Sequence, residues 1–211
     1  MRMESDSNKT VKIKICGITT PAEAEFLNRL GPDIAGMVLF FPKSKRNVSI
    51  EDAKVILGSF SREIKKAAVM VSPSFEQACE AIEAGFDILQ IHGEVEERIL
   101  RETDIPIFKA FNIKDLDQWE RYHREERIAG YVMDAAEPGS GKPYDRSILD
   151  KIPRDDKFFM LAGGLDPQNV AEAISEVSPD GVDVSSGVEY DDRKGKDPEK
   201  LKRFFEAVRN I

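Results

Sequence analysis

The chain has 211 residues, a length that lets a single domain bury roughly 70% of its unfolded surface without help from disulfides or metal. With 41% hydrophobic residues, 33% charged residues and a formal charge of −8, it reads as a soluble globular protein. Its scattered basic residues argue against nucleic acid as a partner. Cys16 and Cys79 form no CxxC pair for zinc or redox chemistry, and no apolar run approaches the roughly 20 residues of a membrane span.

In chain order, residues 1–11 (MRMESDSNKTV) are expected to form a polar N-terminal tail. No apolar core follows Arg2, so no secretory signal is expected and the expected address is cytoplasmic. Short apolar runs then alternate with segments of helical spacing. The predicted strands are KIKIC (12–16), IAGMVLF (34–40), AAVMV (67–71), ILQIH (88–92), PIFKAF (106–111), GYVMD (130–134), FFMLAG (158–163) and GVDVSS (181–186). Between and after them PAEAEFLNRL, SIEDAKVILGSF, SFEQACEAIEAG, EVEERILRE, KDLDQWERYHRE, SILDKI, PQNVAEAISEV and PEKLKRFFEAVRN read as helices. Thr20-Pro21, Ser49 ahead of Asp52, Asp166-Pro167 and Asp197-Pro198 supply start signals, since a capping oxygen satisfies the first free N–H groups of a helix.

Strands that alternate with helices pair in parallel through right-handed crossovers. Repeated units of this kind in residues 12–211 predict a single α/β domain, a closed (β/α)8 TIM barrel with outer helices. An open doubly wound sheet is the alternative. It calls for a GxGxxG turn after the first strand, where this chain has Cys-Gly-Ile-Thr.

Barrel chemistry sits at the carboxyl ends of strands. Lys14 and Cys16 share one strand face there, and an ammonium beside a thiol is expected to bring its pKa toward neutrality and make Cys16 a base or nucleophile. The other reading of Cys16 is a small buried apolar group. Asp134 ends the sixth strand and is the matching proton donor, or else it ties down the loop behind it. Asp183 shares a face with Ser185 and is either a second acid or a member of a buried network. Ala162-Gly163-Gly164-Leu165 and Ser185-Ser186-Gly187-Val188 are glycine turns after the last two strands, where backbone N–H groups can approach a phosphate closely. Arg46, in a loop with Lys43 and Lys45, could grip a carboxylate in bidentate fashion. His92 is expected to close a hydrogen-bond network, with contact to a ligand as the alternative, His123 to lie at the surface and Cys79 to pack.

KICGIT (14–19), FPKSKR (41–46), QIHGE (90–94), GSGK (139–142), AGGLDPQNV (162–170) and VDVSSGVE (182–189), in this order, resemble the phosphoribosylanthranilate isomerases of tryptophan biosynthesis. The resemblance spans almost the whole chain. It implies a (β/α)8 enzyme, without cofactor or metal, that performs an Amadori rearrangement of N-(5-phosphoribosyl)anthranilate, with no membrane or nucleic-acid partner and a monomeric or homodimeric state. It further implies Cys16 as general base, Asp134 as general acid and Arg46 on the anthranilate carboxylate. Gly163, Gly164, Ser186 and Gly187 are implied around the phosphate, and Asp183 near the sugar. The chain departs from the family in the short loop after Asp134, where Arg146 stands in place of a tryptophan after Tyr144-Asp145. Two other readings compete. The sister isomerase of histidine biosynthesis calls for a twofold repeat that is absent here, and a phosphate-binding barrel without catalysis would not need both Cys16 and Asp134.

Overall fold

In the computed structural model, which describes residues 10–134, 149 and 152–211, β1 (Lys12–Cys16) pairs in parallel with both β2 (Ile34–Leu39) and β9 (Gly181–Val184). That double pairing closes the sheet into a barrel. The remaining staves are β4 (Lys65–Val71), β5 (Ile88–His92), β6 (Ile107–Asn112), β7 (Ile128–Asp134) and β8 (Phe158–Leu161), each parallel to its neighbours. All eight predicted strands are present. The sequence does not suggest β3 (Asn47–Val48), a two-residue strand beside the upper end of β2, because so short a segment leaves no periodic signal.

Outside the barrel lie α1 (Pro21–Leu30), α2 (Ile50–Leu57), α3 (Phe75–Ala84), α4 (Glu97–Glu102), α5 (Trp119–His123), α6 (Val170–Val177) and α7 (Pro198–Arg209). Their starts obey the capping chemistry of the sequence. Thr20 and Ser74 close capping boxes with Glu23 and Gln77, Ser49 accepts from the Asp52 N–H, and Asp197 accepts from Glu199 and Lys200. Asp166 differs from expectation. It caps a preceding turn through the N–H groups of Gln168 and Asn169, and α6 begins only at Val170. The expected helix 114–125 splits into a 3-10 turn, Ile113–Gln118, and the short α5, while most of the expected helix at 147–152 and the whole GSGK segment lie outside the described residues.

Period-two alternation sorts the strand side chains into two cores. Outward residues such as Ile13, Ile15, Met37, Leu89, Phe111 and Leu161 pack against the helices. Inward residues Ile34, Ala67, Ile88, Phe108, Val132 and Met160 fill the barrel floor, where Phe108 and Phe158 stack at 5.7 Å. His123, expected at the surface, is only 23% exposed. It stacks on Trp119 at 5.4 Å and faces Asp155 at 3.2 Å, because α5 turns this edge of its charged segment toward the barrel.

Candidate active site

Above the apolar floor polar side chains enter the inward positions of β1, β5, β6, β7 and β9, and register decides which of them meet. Lys14 on β1 is the direct partner of Asp183 on β9, and the Lys14 Nζ donates to Asp183 Oδ2 at 2.6 Å with both side chains buried. One inward position higher, Cys16 pairs with Gly36. A Cβ on Gly36 would stand 3.1 Å from Cys16 Sγ and 3.2 Å from Lys14 Nζ, so the missing side chain on β2 makes room for this pair. On the opposite wall Asn112 and Asp134 are register partners at the ends of β6 and β7. Gln90 and His92 stand on β5 between the walls, with Gln90 Nε2 and His92 Nε2 3.3 Å apart.

Cys16, Asp183, Gln90, His92, Asn112 and Asp134 line one cleft of about 700 Å3 at the carboxyl ends of the strands. Its wall contains Cys16, Arg46, Asp134, Gly163, Gly164, Asp183 and Ser186, so seven of the eight residues that the family resemblance assigns to the site share one cavity. Gly187 stands behind the wall: a Cβ there would meet the Leu165 carbonyl oxygen at 2.0 Å, and this close approach locks the two glycine turns together. Gly163 and Gly164 both take left-handed backbone, φ 85° and 65°, which side chains with a Cβ rarely adopt. In the 3-10 turn Ser186–Val188 the first internal bonds come from the N–H groups of Val188 and Glu189, so those of Ser186 and Gly187 stand at its open end.

Electrostatics correct one expectation. The Cys16 thiol is pushed above its ordinary pKa of 9.0, not toward neutrality. Burial is the main cause. Lys14 and Lys196 favour the thiolate, but the Asp183 carboxylate opposes it and spends much of the Lys14 charge. Lys14 itself, although burial opposes its charge, is held above the ordinary lysine value by Asp183 and Cys16. Burial also raises Asp183, with Lys14 and Lys196 only partly offsetting it. His92 is driven down to about 3 by burial and by the Lys109 and Lys14 ammonium groups, so it is neutral at physiological pH.

Arg46 gives its Nε–H to Glu189 Oε1 at 2.5 Å, and its Nη2 is buried without a hydrogen-bond partner. Sequence reasoning missed Glu189 and Lys196. Lys196 is buried and donates to the Ser185 carbonyl at 3.0 Å, while the Ser185 hydroxyl donates to the Cys16 carbonyl at 3.0 Å. It sits in the charged run DDRKGKD, which reads as solvated surface. Glu189 carries a stronger signal, as the last residue of VDVSSGVE. Among the described residues no cluster of His, Cys, Asp and Glu is arranged to hold a metal ion, and no helix is long and apolar enough to cross a membrane.

Comparison with known proteins identifies the family. The N-(5'-phosphoribosyl)anthranilate (PRA) isomerase family profile matches residues 13–207. The N-(5'-phosphoribosyl)anthranilate isomerase of Streptococcus gordonii is 39% identical over 204 residues, 94% of this chain and 98% of the relative. The crystal structure of the Thermotoga maritima phosphoribosyl anthranilate isomerase is similar with a TM-score of 0.81 and 34% identity, over 95% of this chain and 100% of that one. A phosphoribosyl anthranilate isomerase solved in complex with reduced 1-(o-carboxyphenylamino)-1-deoxyribulose 5-phosphate is similar with a TM-score of 0.78 and 32% identity, over 95% of this chain and 100% of that one. With a match over nearly its whole length and relatives well above 30% identity, the chain belongs to the N-(5'-phosphoribosyl)anthranilate isomerase family.

Proposed function

We infer that this chain isomerises N-(5'-phosphoribosyl)anthranilate to 1-(2-carboxyphenylamino)-1-deoxyribulose 5-phosphate, a step of tryptophan biosynthesis. The observation that carries the reading is the single cleft in which an acid and a thiol stand on facing walls, between an arginine and two glycine turns. A substrate with anionic groups at both ends needs two separate anchors. The backbone at Gly163, Gly164, Ser186 and Gly187 takes the phosphate, because closely approaching N–H groups favour an anion. Arg46 takes the anthranilate carboxylate through its unpartnered Nη2.

Between the anchors, Asp134 protonates the furanose ring oxygen. The C1–O bond breaks and the nitrogen lone pair forms the iminium. Cys16, as thiolate, then removes the proton at C2, and the electron pair flows into the C1–C2 bond and neutralises the nitrogen. The resulting enolamine tautomerises to the ketone. Resting Cys16 is a thiol, and Lys14, Lys196 and the nearby iminium are the charges that favour its ionisation. Asp183 contributes near the sugar and holds Lys14 in place. The iminium serves as electron sink, so the proton transfers need no cofactor.

The same reading makes residues 12–211 one catalytic domain behind a polar tail, residues 1–11. It places a monomeric or homodimeric enzyme in the cytoplasm, with no nucleic-acid partner. The test is turnover of freshly prepared phosphoribosylanthranilate, followed by loss of its anthranilate fluorescence with the product identified by chromatography. Binding without turnover would instead support a phosphosugar-binding barrel.

A further inference from the structure

Glu189 ends the motif VDVSSGVE, and the proton-transfer steps leave it without a task. Three segments converge on it. Beyond the 3-10 turn Ser186–Val188 the chain forms a short hairpin, in which Glu189 bridges to Lys196 and the Tyr190 N–H donates to the Gly195 carbonyl at 3.1 Å. From the other side the Arg46 arm crosses Gly17 so closely that a Cβ there would stand 2.4 Å from Arg46 Cδ. Between them the Glu189 carboxylate accepts from Arg46 Nε at 2.5 Å, Lys45 Nζ at 2.8 Å and Lys196 Nζ at 3.3 Å.

The cluster is incomplete in two respects. Arg46, Lys45 and Lys196 set three positive charges against one carboxylate, a net charge of 3 − 1 = +2. Arg46 Nη2 is also buried with no partner, in a side chain that lines the cleft. A guanidinium is a planar fork, so holding it by the Nε edge fixes the direction in which the other edge points. Gly17 leaves room for the arm and Glu189 holds its Nε. Burial opposes the Glu189 charge, but Arg46, Lys196 and Lys45 overcome it and hold its pKa at about 2, so the brace stays ionised at any working pH.

We propose that Glu189 is a positioning residue that orients Arg46 before substrate arrives, and so selects aminosugar phosphates whose aromatic ring carries a carboxylate. The proposal rests on the assignment of Arg46 to the anthranilate carboxylate. The two lysines offset the negative charge that Glu189 would otherwise present to the incoming anion. Without the brace the guanidinium can rotate, and ordering it falls to each binding event.

The test compares Glu189→Gln with wild type on two substrates, phosphoribosylanthranilate and phosphoribosylaniline, which lacks the carboxylate. The expected result is a KM for the anthranilate substrate raised about tenfold, with kcat within about threefold and almost no change toward the aniline substrate. In an Arg46→Ala background, Glu189→Gln should add little, because a residue that acts through another loses its effect when that other is gone. Thermal unfolding is recorded on each protein. If Glu189→Gln does not fold, Glu189→Asp, still anionic but shorter, is expected to show a smaller KM rise with the same selectivity. Equal losses on both substrates, or an unchanged KM for the anthranilate substrate, would overturn the positioning role. A wild type that turns over neither substrate would instead overturn the underlying functional reading.

Discussion

The lower and upper halves of the barrel interior are made by the same strands with the same in-and-out alternation, yet they are held by different forces. The floor, with Ile34, Ala67, Ile88, Phe108, Val132 and Met160, is apolar and close-packed. Toward the mouth, β1 and β9 turn Lys14, Cys16 and Asp183 inward, and β5, β6 and β7 turn Gln90, His92, Asn112 and Asp134 inward, beside Val38, Val69 and Val71 of β2 and β4. Gln90 Oε1 and Asp183 Oδ1 are buried there without a hydrogen-bond partner, an arrangement that costs stability. The floor fixes the barrel's shape, and the mouth uses that rigidity to hold groups that would not fold together on their own. Stability and chemistry are thus separated along the barrel axis.

The sharpest way to break that separation is to empty the floor. Phe108→Ala should cost about 3–5 kcal/mol in a urea titration, through lost burial and the cavity left beside Phe158. Turnover per folded molecule should stay close to wild type; a large loss there would mean that floor and mouth are not separable. Next comes Lys14→Met, the exception within the mouth. It leaves the buried Asp183 carboxylate without its 2.6 Å partner and should cost about 3 kcal/mol of stability along with activity. If the variant were as stable as wild type, the ion pair would belong to catalysis alone.

The smallest effect is a pH slope. The His92 pKa is about 3 in the folded protein against 6.5 for a free imidazole, so below about pH 6.5 the unfolded chain binds the extra proton and folding stability falls as pH drops toward 3. The slope is at most about 1.4 kcal/mol per pH unit. Between pH 6.5 and about 4.5 it precedes the protonation of ordinary glutamates, and because Asp183 is also raised, the difference in urea midpoints between wild type and a His92 variant isolates it. His92→Gln should flatten it. An unchanged slope would place its origin elsewhere in the protein.

Much of this was legible in the amino-acid sequence. The alternation of apolar runs marks every stave of the barrel, and the residues at their carboxyl ends mark the cleft, because strand ends and barrel mouth are one place in this topology. What escaped detection depends on distances that no local pattern encodes. The Cys16 thiol is shifted up because Asp183, far away in the chain, sits beside Lys14 through β1–β9 register. Glu189 and Lys196 meet Arg46 only because a hairpin folds back over the turn after β9. His123 was misplaced because a charged helix segment gives no sign that one edge turns toward Trp119 and Tyr131.

The most direct test of the central claim, that Cys16 and Asp134 divide the proton transfers within an otherwise intact site, is turnover of phosphoribosylanthranilate by Cys16→Ser and Asp134→Asn, with reduced product titrated against the same samples. The account predicts that each variant loses about 10²–10⁴-fold in kcat while still binding the reduced product. Either variant turning over at the wild-type rate would contradict it.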